Sequence, residues 1–313
     1  MTTGAATNQD ASKLRRFLDA LPRGLRRQKL LIALYRLGVV SPVQRLVFND
    51  GAVAWVDLRD AESRANYLSR TFWPEFPHIV AAFLRNGGDL FDVGANFGLV
   101  TFGTLPLVQG LGTGFHLFEA NPRIIPVLER SAREWPAEAI RIVHGAVSDA
   151  PGTSHHLLPD SSWGHGLIGD HGVPVSNLLL DDYIERNQVE RISFLKLDIE
   201  GWELHALRGG RRAFSSGMVE AGYVEVSPDA LRRAGSGPAE LLGLLQELGF
   251  DPYFAAHWDY DDPYGLRWAR VPVNGTSLRF APASTLPDGF TQGDVLVIHR
   301  TAALAETVRA ATR

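Results

Sequence analysis

The sequence lacks cysteine altogether, which excludes disulfides, thiolate metal sites and cysteine nucleophiles. Lysine is also scarce, since arginine supplies all but Lys13, Lys29 and Lys196 of the 31 basic residues. No excess charge of one sign is present, because the net charge is only −4. Neither nucleic acid nor an anionic membrane surface is therefore an expected partner of the chain as a whole.

Long apolar runs are missing as well. A membrane-spanning helix needs about 20 apolar residues, and the stretch 30–40 is shorter and interrupted by Arg36. The first ten residues are polar and do not follow the order of a secretory signal peptide. We therefore expect no membrane span and a cytoplasmic location, with which the absence of cysteine agrees.

The first 75 residues are predicted to form a helical extension that includes a hairpin. Residues 1–45 carry nine basic and two acidic side chains, with leucines at helical spacing. A turn at 49–51 predicts a hairpin over 45–58. Basic amphipathic helices can bind a membrane surface or an acidic partner. The preferred interpretation is that these helices cap the main domain.

Residues 76–300 are predicted to form the main domain, followed by a tail at 301–313. Nearly uniformly apolar strands alternate with helices, which indicates an α/β fold with a parallel sheet covered on both faces. Two segments, 151–180 and 257–292, interrupt this alternation, and their length predicts functional loops.

The stretch DLFDVGANFG, residues 89–98, holds the first candidate site. Gly94 allows a tight turn, and Gly98 lets the next helix pack close to the strand. A dinucleotide-binding loop would carry glycine where this chain has Asn96, which weakens a pyrophosphate interpretation. Glu119, at the end of the next strand, can accept hydrogen bonds from both hydroxyls of a ribose. Either feature alone could be structural; together they predict a nucleoside ligand.

The segments FDVGANFG, FEANP, HGAVSD, VSNLLLDDYI, FLKLDIEGWELHALRGG and YVEVSP resemble, in this order, the FkbM family of S-adenosylmethionine-dependent methyltransferases. The resemblance runs from about residue 89 to about 254. It implies a Rossmann-like class I methyltransferase fold, with a seven-stranded, mostly parallel sheet whose last strand is antiparallel. It also implies S-adenosylmethionine as donor and O-methylation of a hydroxyl on a sugar, glycoside or polyketide-type small molecule.

The resemblance also implies a set of residues that bind the donor. The glycine loop would hold the methionine part and the ribose, Glu119 the ribose, and the end of the third strand the adenine. The residues so assigned are Asp92, Gly94, Asn96, Gly98, Glu119, Asn121, His144, Gly145 and Ala146.

Methylation of an alcohol requires a group that removes the hydroxyl proton. Asp198 and Glu200 end the strand expected to face the donor, and Glu225 ends the next strand. The alternative for Glu225 is a helix cap or a salt bridge. Glu203 belongs either to this carboxylate cluster or to a surface ion pair with Arg208. 

Two further side chains are singled out by their surroundings. Lys196 lies in an apolar strand and is expected to pair with a carboxylate. His165 is a candidate base because Ser162 and Trp163 beside it suit a substrate wall.

The sequence predicts no specific metal ligand. The four histidines of 151–180 fit no zinc-binding spacing. Magnesium held by Asp198 and Glu225, lowering the pKa of the acceptor hydroxyl, stays an open alternative.

The sequence leaves two alternative functions. A nicotinamide-dependent oxidoreductase would need the missing glycine spacing. A non-catalytic nucleoside-binding module would not need the loop, Glu119 and the acid-rich turn together. Four aromatic residues of the second long segment either stack on the acceptor or form a buried lid: Trp258, Tyr260, Tyr264 and Trp268.

Overall fold

The structure is a computed structural model that describes residues 16, 18, 20, 25–49, 51–136, 138–159, 166–169, 172–257 and 264–313. The strands are β1 (Val43–Phe48), β2 (Ala52–Asp57), β3 (Asp89–Val93), β4 (Gly114–Glu119), β5 (Ala139–His144), β6 (Ala146–Val147), β7 (Gly152–Pro159), β8 (Gly166–Gly169), β9 (Val173–Leu178), β10 (Ile192–Leu197), β11 (Ala221–Val226), β12 (Phe250–Ala256), β13 (Ala269–Val273), β14 (Thr276–Pro282) and β15 (Gly293–His299). The helices are α1 (Leu25–Arg36), α2 (Ala61–Ser69), α3 (Phe76–Leu84), α4 (Leu99–Val108), α5 (Ile125–Ala132), α6 (Leu180–Arg186), α7 (Glu203–Gly209), α8 (Arg211–Ser216), α9 (Pro228–Arg233), α10 (Pro238–Glu247) and α11 (Ala305–Thr312).

The main sheet contains nine described strands in the order β13-β14-β12-β15-β11-β10-β3-β4-β5. Five neighbouring strands, from β11 to β5, run parallel, and β15 is antiparallel to both β11 and β12. The predicted α/β fold is confirmed, and the sheet is mixed, because β15, β12, β14 and β13 are joined by antiparallel pairings. The predicted number of seven strands is wrong, because the hairpin β13–β14 extends the sheet beyond β12.

The strand order reverses between β3 and β10, which makes the carboxyl ends of these strands the expected place for a ligand. The loops after the two strands touch at this point. A Cβ atom on Gly94 would lie 1.8 Å from the carbonyl oxygen of Asp198, and Gly94 has a φ of +77°. Only glycine allows this approach, so Gly94 fixes the two loops against each other.

Both segments predicted as functional loops contain strands instead. Residues 151–180 include β7, β8 and β9, which form a small sheet with β6 in the order β6-β9-β7-β8. Residues 257–292 include β13 and β14. These strands mix polar with apolar residues, so they lack the continuous apolar run of the central strands.

The extension packs on one face of the main sheet. The predicted hairpin is confirmed as β1–β2. Trp135, after α5, donates a 2.9 Å hydrogen bond to the carbonyl oxygen of Val53, and Arg45 forms a 3.0 Å ion pair with Glu134. The ring centroid of Trp73, near the end of the extension, lies 5.9 Å from that of Phe76 on α3, which lies 4.6 Å from that of Tyr223 on β11. These contacts bring the extension over the central strands.

The ends of the chain differ in what can be described. Most of the predicted helix before residue 25 lies outside the described residues. Residues 301–313, predicted as a tail, contain α11, whose Val308 is fully buried. Arg309 on the same helix pairs with Asp251 at 2.7 Å. Within the part of the chain that the structure describes, no helix has the length and apolar character needed to cross a membrane.

Candidate active site

A cavity of about 240 Å³ opens at the carboxyl ends of the central strands. It is lined by the loops after β3, β4, β5 and β10, by the ends of β11 and β15, and by part of the extension. Eight of the residues predicted for the site line it together: Gly94, Asn96, Glu119, Gly145, Ala146, Asp198, Glu200 and Glu225.

Glu119 connects the loops after β3 and β4. Its Oε2 accepts a 2.8 Å hydrogen bond from the backbone N–H of Asn96, and its Oε1 accepts a 2.7 Å bond from that of Asn121. Burial raises the pKa of the Glu119 carboxyl, and the two hydrogen bonds oppose this shift only in part. The carboxyl group therefore holds the glycine loop in place at the wall of the cavity.

Asn96 occupies the position where a dinucleotide-binding loop has glycine. Its φ of 50° lies in the left-handed region, which asparagine tolerates better than most residues. Its side-chain Oδ1 is buried and has no hydrogen-bond partner. An unpartnered buried acceptor costs about 1–3 kcal/mol, so a ligand that donates a hydrogen bond here would remove that cost.

Four residues predicted to bind the donor do not line the cavity: Asp92, Gly98, Asn121 and His144. Asp92 is buried beneath it and accepts a 2.7 Å hydrogen bond from Thr101. Gly98 begins α4 with a φ of 72°. Asn121 is buried beside Glu119, whereas His144 is exposed. His165 lies outside the described residues.

Lys196 links the two loops at the point where the strand order reverses. Its Nζ donates a 2.6 Å hydrogen bond to the carbonyl oxygen of Gly94 and lies 3.1 Å from Asp198 Oδ2 and 3.8 Å from Asp92 Oδ1. Burial alone would lower the pKa of Lys196, but the charges of Asp198 and Asp92 outweigh it and raise the pKa. The expected carboxylate partner is confirmed, and Lys196 stays positively charged.

Three carboxyl groups, Asp198, Glu225 and Asp294, form what we call the acid row. Glu225 and Asp294 are paired in register on antiparallel strands. Gln292 Nε2 donates a 2.6 Å hydrogen bond to Glu225 Oε1, whereas Glu225 Oε2 is buried without a partner. The prediction that Glu225 joins a carboxylate cluster therefore fits this geometry.

The acid row disfavours further negative charge. Burial, then the charge of Asp198, raises the pKa of Glu225 to about 9. The same two causes raise the pKa of Asp294 to about 7, with Lys196 opposing them. Glu225 consequently carries a proton at neutral pH. Sequence reasoning missed Asp294, because its position opposite Glu225 follows only from the antiparallel pairing of β15.

Glu203 is not a surface residue, so its interpretation as a partner of Arg208 is wrong. It is 1% exposed, and its Oε1 accepts hydrogen bonds from the backbone N–H groups of Ile199 (3.0 Å) and Gly201 (3.1 Å). Arg208 pairs with Glu240 instead. Burial raises the pKa of Glu203 to about 7 against these hydrogen bonds. Glu203 therefore shapes the turn that presents Asp198 to the cavity.

The extension supplies a wall that sequence reasoning missed. Asp60, Glu62 and Asn66 line the cavity, as do three aromatic residues. Phe72 and Trp73 stack with ring centroids 5.6 Å apart, Trp73 is 53% exposed, and Phe76 packs beneath it. These side chains precede the acid row by more than 120 residues in sequence, so no local motif could have revealed them.

The aromatic residues predicted near the acceptor are placed elsewhere or not described. Trp258 and Tyr260 lie outside the described residues. The ring centroids of Tyr264 and Phe290 lie 6.2 Å apart, and Cζ of Arg279 lies 5.1 Å from the ring centroid of Trp268. Neither Tyr264 nor Trp268 lines the cavity.

The described residues give no support to a magnesium ion held by Asp198 and Glu225. Among the described residues, no group of three or more histidine, aspartate or glutamate side chains is placed to hold a metal. Asp198 is ion-paired with Lys196, and Glu225 accepts a hydrogen bond from Gln292.

Comparison with known proteins places the chain in a family. The methyltransferase FkbM domain family matches residues 92–252, which is more than half of the 313 residues. The chain therefore belongs to the FkbM methyltransferase family. This assignment leaves the nicotinamide-dependent alternative without support.

Individual relatives are distant. The hexuronic acid methyltransferase AglP of Haloferax volcanii is 26% identical over 159 residues, which are 50% of this chain and 61% of that protein. The chain thus matches less than two thirds of the length of that curated relative. Among solved structures, the methyltransferase FkbM from Methylobacillus flagellatus is 18% identical with a TM-score of 0.38, over 63% of this chain and 44% of that one. TYW2 of M. jannaschii in complex with AdoMet is 9% identical with a TM-score of 0.37, over 83% and 88% of the two chains.

Proposed function

We propose that this protein is an S-adenosylmethionine-dependent O-methyltransferase that acts on a hydroxyl of a sugar, glycoside or polyketide-type small molecule. Membership of the FkbM family supports the activity. The single observation that carries it is the position of Glu119. Its carboxyl group lies at the wall of the cavity and is held by the backbone of both loops that would surround a nucleoside.

The residues of the cavity fit the donor. Each oxygen of Glu119 can accept a further hydrogen bond, which suits the two hydroxyls of a ribose. The unpartnered Oδ1 of Asn96 suits a donor group such as an ammonium. Gly145, which has no side chain, and Ala146, which has only a methyl group, leave room where a flat base could lie. The supporting residues Asp92, Gly98 and Asn121 act by holding these groups in place.

The carboxyl groups of the chain serve the acceptor. When bound, S-adenosylmethionine supplies a methyl group by cleavage of its sulfur–carbon bond, and the acceptor oxygen, which gains that carbon, loses its proton. We assign the proton to Asp198, because it is partly exposed to the cavity and Lys196 holds it in place. Glu225, whose Oε2 is buried without a partner, would orient the hydroxyl by a hydrogen bond. Glu200, and His165 outside the described residues, stay candidates.

The substrate class rests on two supports. The name of the H. volcanii relative states a sugar acid as its substrate class. The exposed Trp73 over the cavity can stack on the apolar face of a sugar ring. A sugar or glycoside is therefore the preferred acceptor.

Calorimetry with S-adenosylmethionine and S-adenosylhomocysteine tests the donor site. The wild-type protein should bind both ligands. Glu119→Ala should weaken binding roughly tenfold to hundredfold, because it removes the two charge-assisted hydrogen bonds that the carboxylate would accept from the ribose hydroxyls. Glu220→Ala is a matched control. Glu220 lies just before β11, at the amino ends of the parallel strands and thus away from the cavity, and it pairs with Arg191. No binding by the wild-type protein would reject the proposal. Binding without any methyl transfer to a panel of sugars would favour a non-catalytic module.

A further inference from the structure

The cavity has an unusual balance of charge. Seven of its lining residues are acidic: Asp60, Glu62, Glu119, Asp198, Glu200, Glu225 and Asp294. Among the described lining residues, the only lysine or arginine is Lys196. Because an acceptor enters this space, the sign of its charge must matter for binding.

Lys196 does not offset this excess for a ligand. Its ammonium is already bonded to the carbonyl oxygen of Gly94 and ion-paired with Asp198, and Asp92 lies 3.8 Å away. It is also 9% exposed, so little of it faces the cavity. Among the described residues that line the cavity, a carboxylate on the acceptor would therefore find no free lysine or arginine near the acid row.

The surroundings of Glu225 indicate which charge on an acceptor the cavity would favour. The residue is 8% exposed, lines the cavity, and its Oε2 has no hydrogen-bond partner. The negative surroundings that keep a proton on Glu225 would equally repel an anionic substituent and attract a cationic one. An ammonium beside Glu225 would satisfy Oε2 and ionise the carboxyl group.

The aromatic wall has the same preference. Trp73 is the exposed member of the stacked pair with Phe72. The face of an indole ring attracts cations and also packs on the C–H face of a sugar. Neither interaction favours a carboxylate.

We propose that the acceptor is an amine-bearing sugar, held by the acid row and the Trp73 ring, and that the site excludes uronic acids. This inference rests on the proposed function. It adds the substrate class to the site: the reaction would methylate a hydroxyl of a sugar whose neighbouring substituent is a protonated amine.

The test uses three methyl glycosides that share one ring and differ in one group: methyl glucosaminide, methyl glucoside and methyl glucuronide. Binding to the protein saturated with S-adenosylhomocysteine is measured by calorimetry at low ionic strength. The glucosaminide should bind at least about tenfold more tightly than the glucuronide, with the glucoside between them. Glu225→Gln should reduce this preference several-fold. Glu306→Gln, which removes an exposed carboxylate of α11 outside the cavity, should leave it unchanged.

The outcomes separate this inference from the proposed function. Failure of S-adenosylhomocysteine itself to bind would reject the proposed function. If S-adenosylhomocysteine binds, the amine inference is overturned by equal or tighter binding of the glucuronide, by a preference that Glu225→Gln does not change, or by no binding of any glycoside. A preference that depends on Glu225 supports it.

Discussion

The two halves of the cavity are built in different ways. The half that we assign to the donor, formed by the loops after β3, β4 and β5 and called the donor half, is held by backbone groups, as in the hydrogen bonds from Asn96 and Asn121 to Glu119. The acceptor half combines the acid row with side chains of the extension, which come from distant parts of the chain. Backbone groups position the residues of the donor half, so that half is suited to one ligand. Side chains form the acceptor half, so substitution of these residues can change which acceptor it binds.

Lys196 joins the halves, so its loss should have the largest effect. Lys196→Met would leave the buried Asp92 without its nearby cation and release the Gly94 carbonyl. Breaking a buried ion pair in this way costs about 3–5 kcal/mol of unfolding free energy. Urea denaturation measures this loss of unfolding free energy. The control is Lys29→Met, which replaces an exposed lysine of α1. Equal stability of the two variants would show that Lys196 does not hold the halves together.

The contact between the loops can be tested separately. Gly94→Ala would place a Cβ atom 1.8 Å from the carbonyl oxygen of Asp198. Gly110→Ala is a close control, since its φ of +78° is nearly the same and nothing lies within 4 Å of its Cβ position. We expect Gly110→Ala to cost about 1 kcal/mol and Gly94→Ala about 2–4 kcal/mol, measured by denaturation. Similar losses would mean that the loops move apart easily.

Replacing Glu225 in the acceptor half should stabilise the protein while it impairs methyl transfer. The folded-state pKa of Glu225, about 9, exceeds the ordinary value of 4.5. Its contribution to stability is therefore full below about pH 4.5 and is lost as the pH rises towards 9. Glu225→Gln should change the unfolding free energy little at pH 4.5 and raise it increasingly towards pH 8, by at most about 1.4 kcal/mol per pH unit, while methyl transfer falls. A stability difference that does not grow with pH would contradict the raised pKa.

The smallest effect on stability is expected at the aromatic wall. Trp73→Ala removes a side chain that is 53% exposed, so the unfolding free energy should change by less than about 1 kcal/mol. Affinity for S-adenosylhomocysteine should stay the same, and affinity for methyl glucosaminide should fall several-fold. Trp268→Ala, outside the cavity, is the control. Weakened donor binding in Trp73→Ala would show that the two halves are not separable at this wall.

The sequence could predict that the glycine loop and Glu119 share one cavity because the determinants of these residues are local. A glycine loop after one strand and an acid after the next identify Gly94, Asn96 and Glu119 without knowledge of the rest of the fold. Asp294 and Trp73 escaped prediction because antiparallel pairing and the packing of the extension bring them to the cavity. The strands of the two supposed loops escaped it because half-exposed strands lack a continuous apolar run.

The bond from Lys196 to Gly94, with the ion pair to Asp198, has a thermodynamic consequence. One ammonium touches both halves, so a ligand that shifts the carbonyl of Gly94 also changes the environment of Asp198. We therefore expect binding of the donor and of the acceptor to be coupled. By reciprocity, the factor by which the first ligand changes affinity for the second equals the factor in the opposite direction.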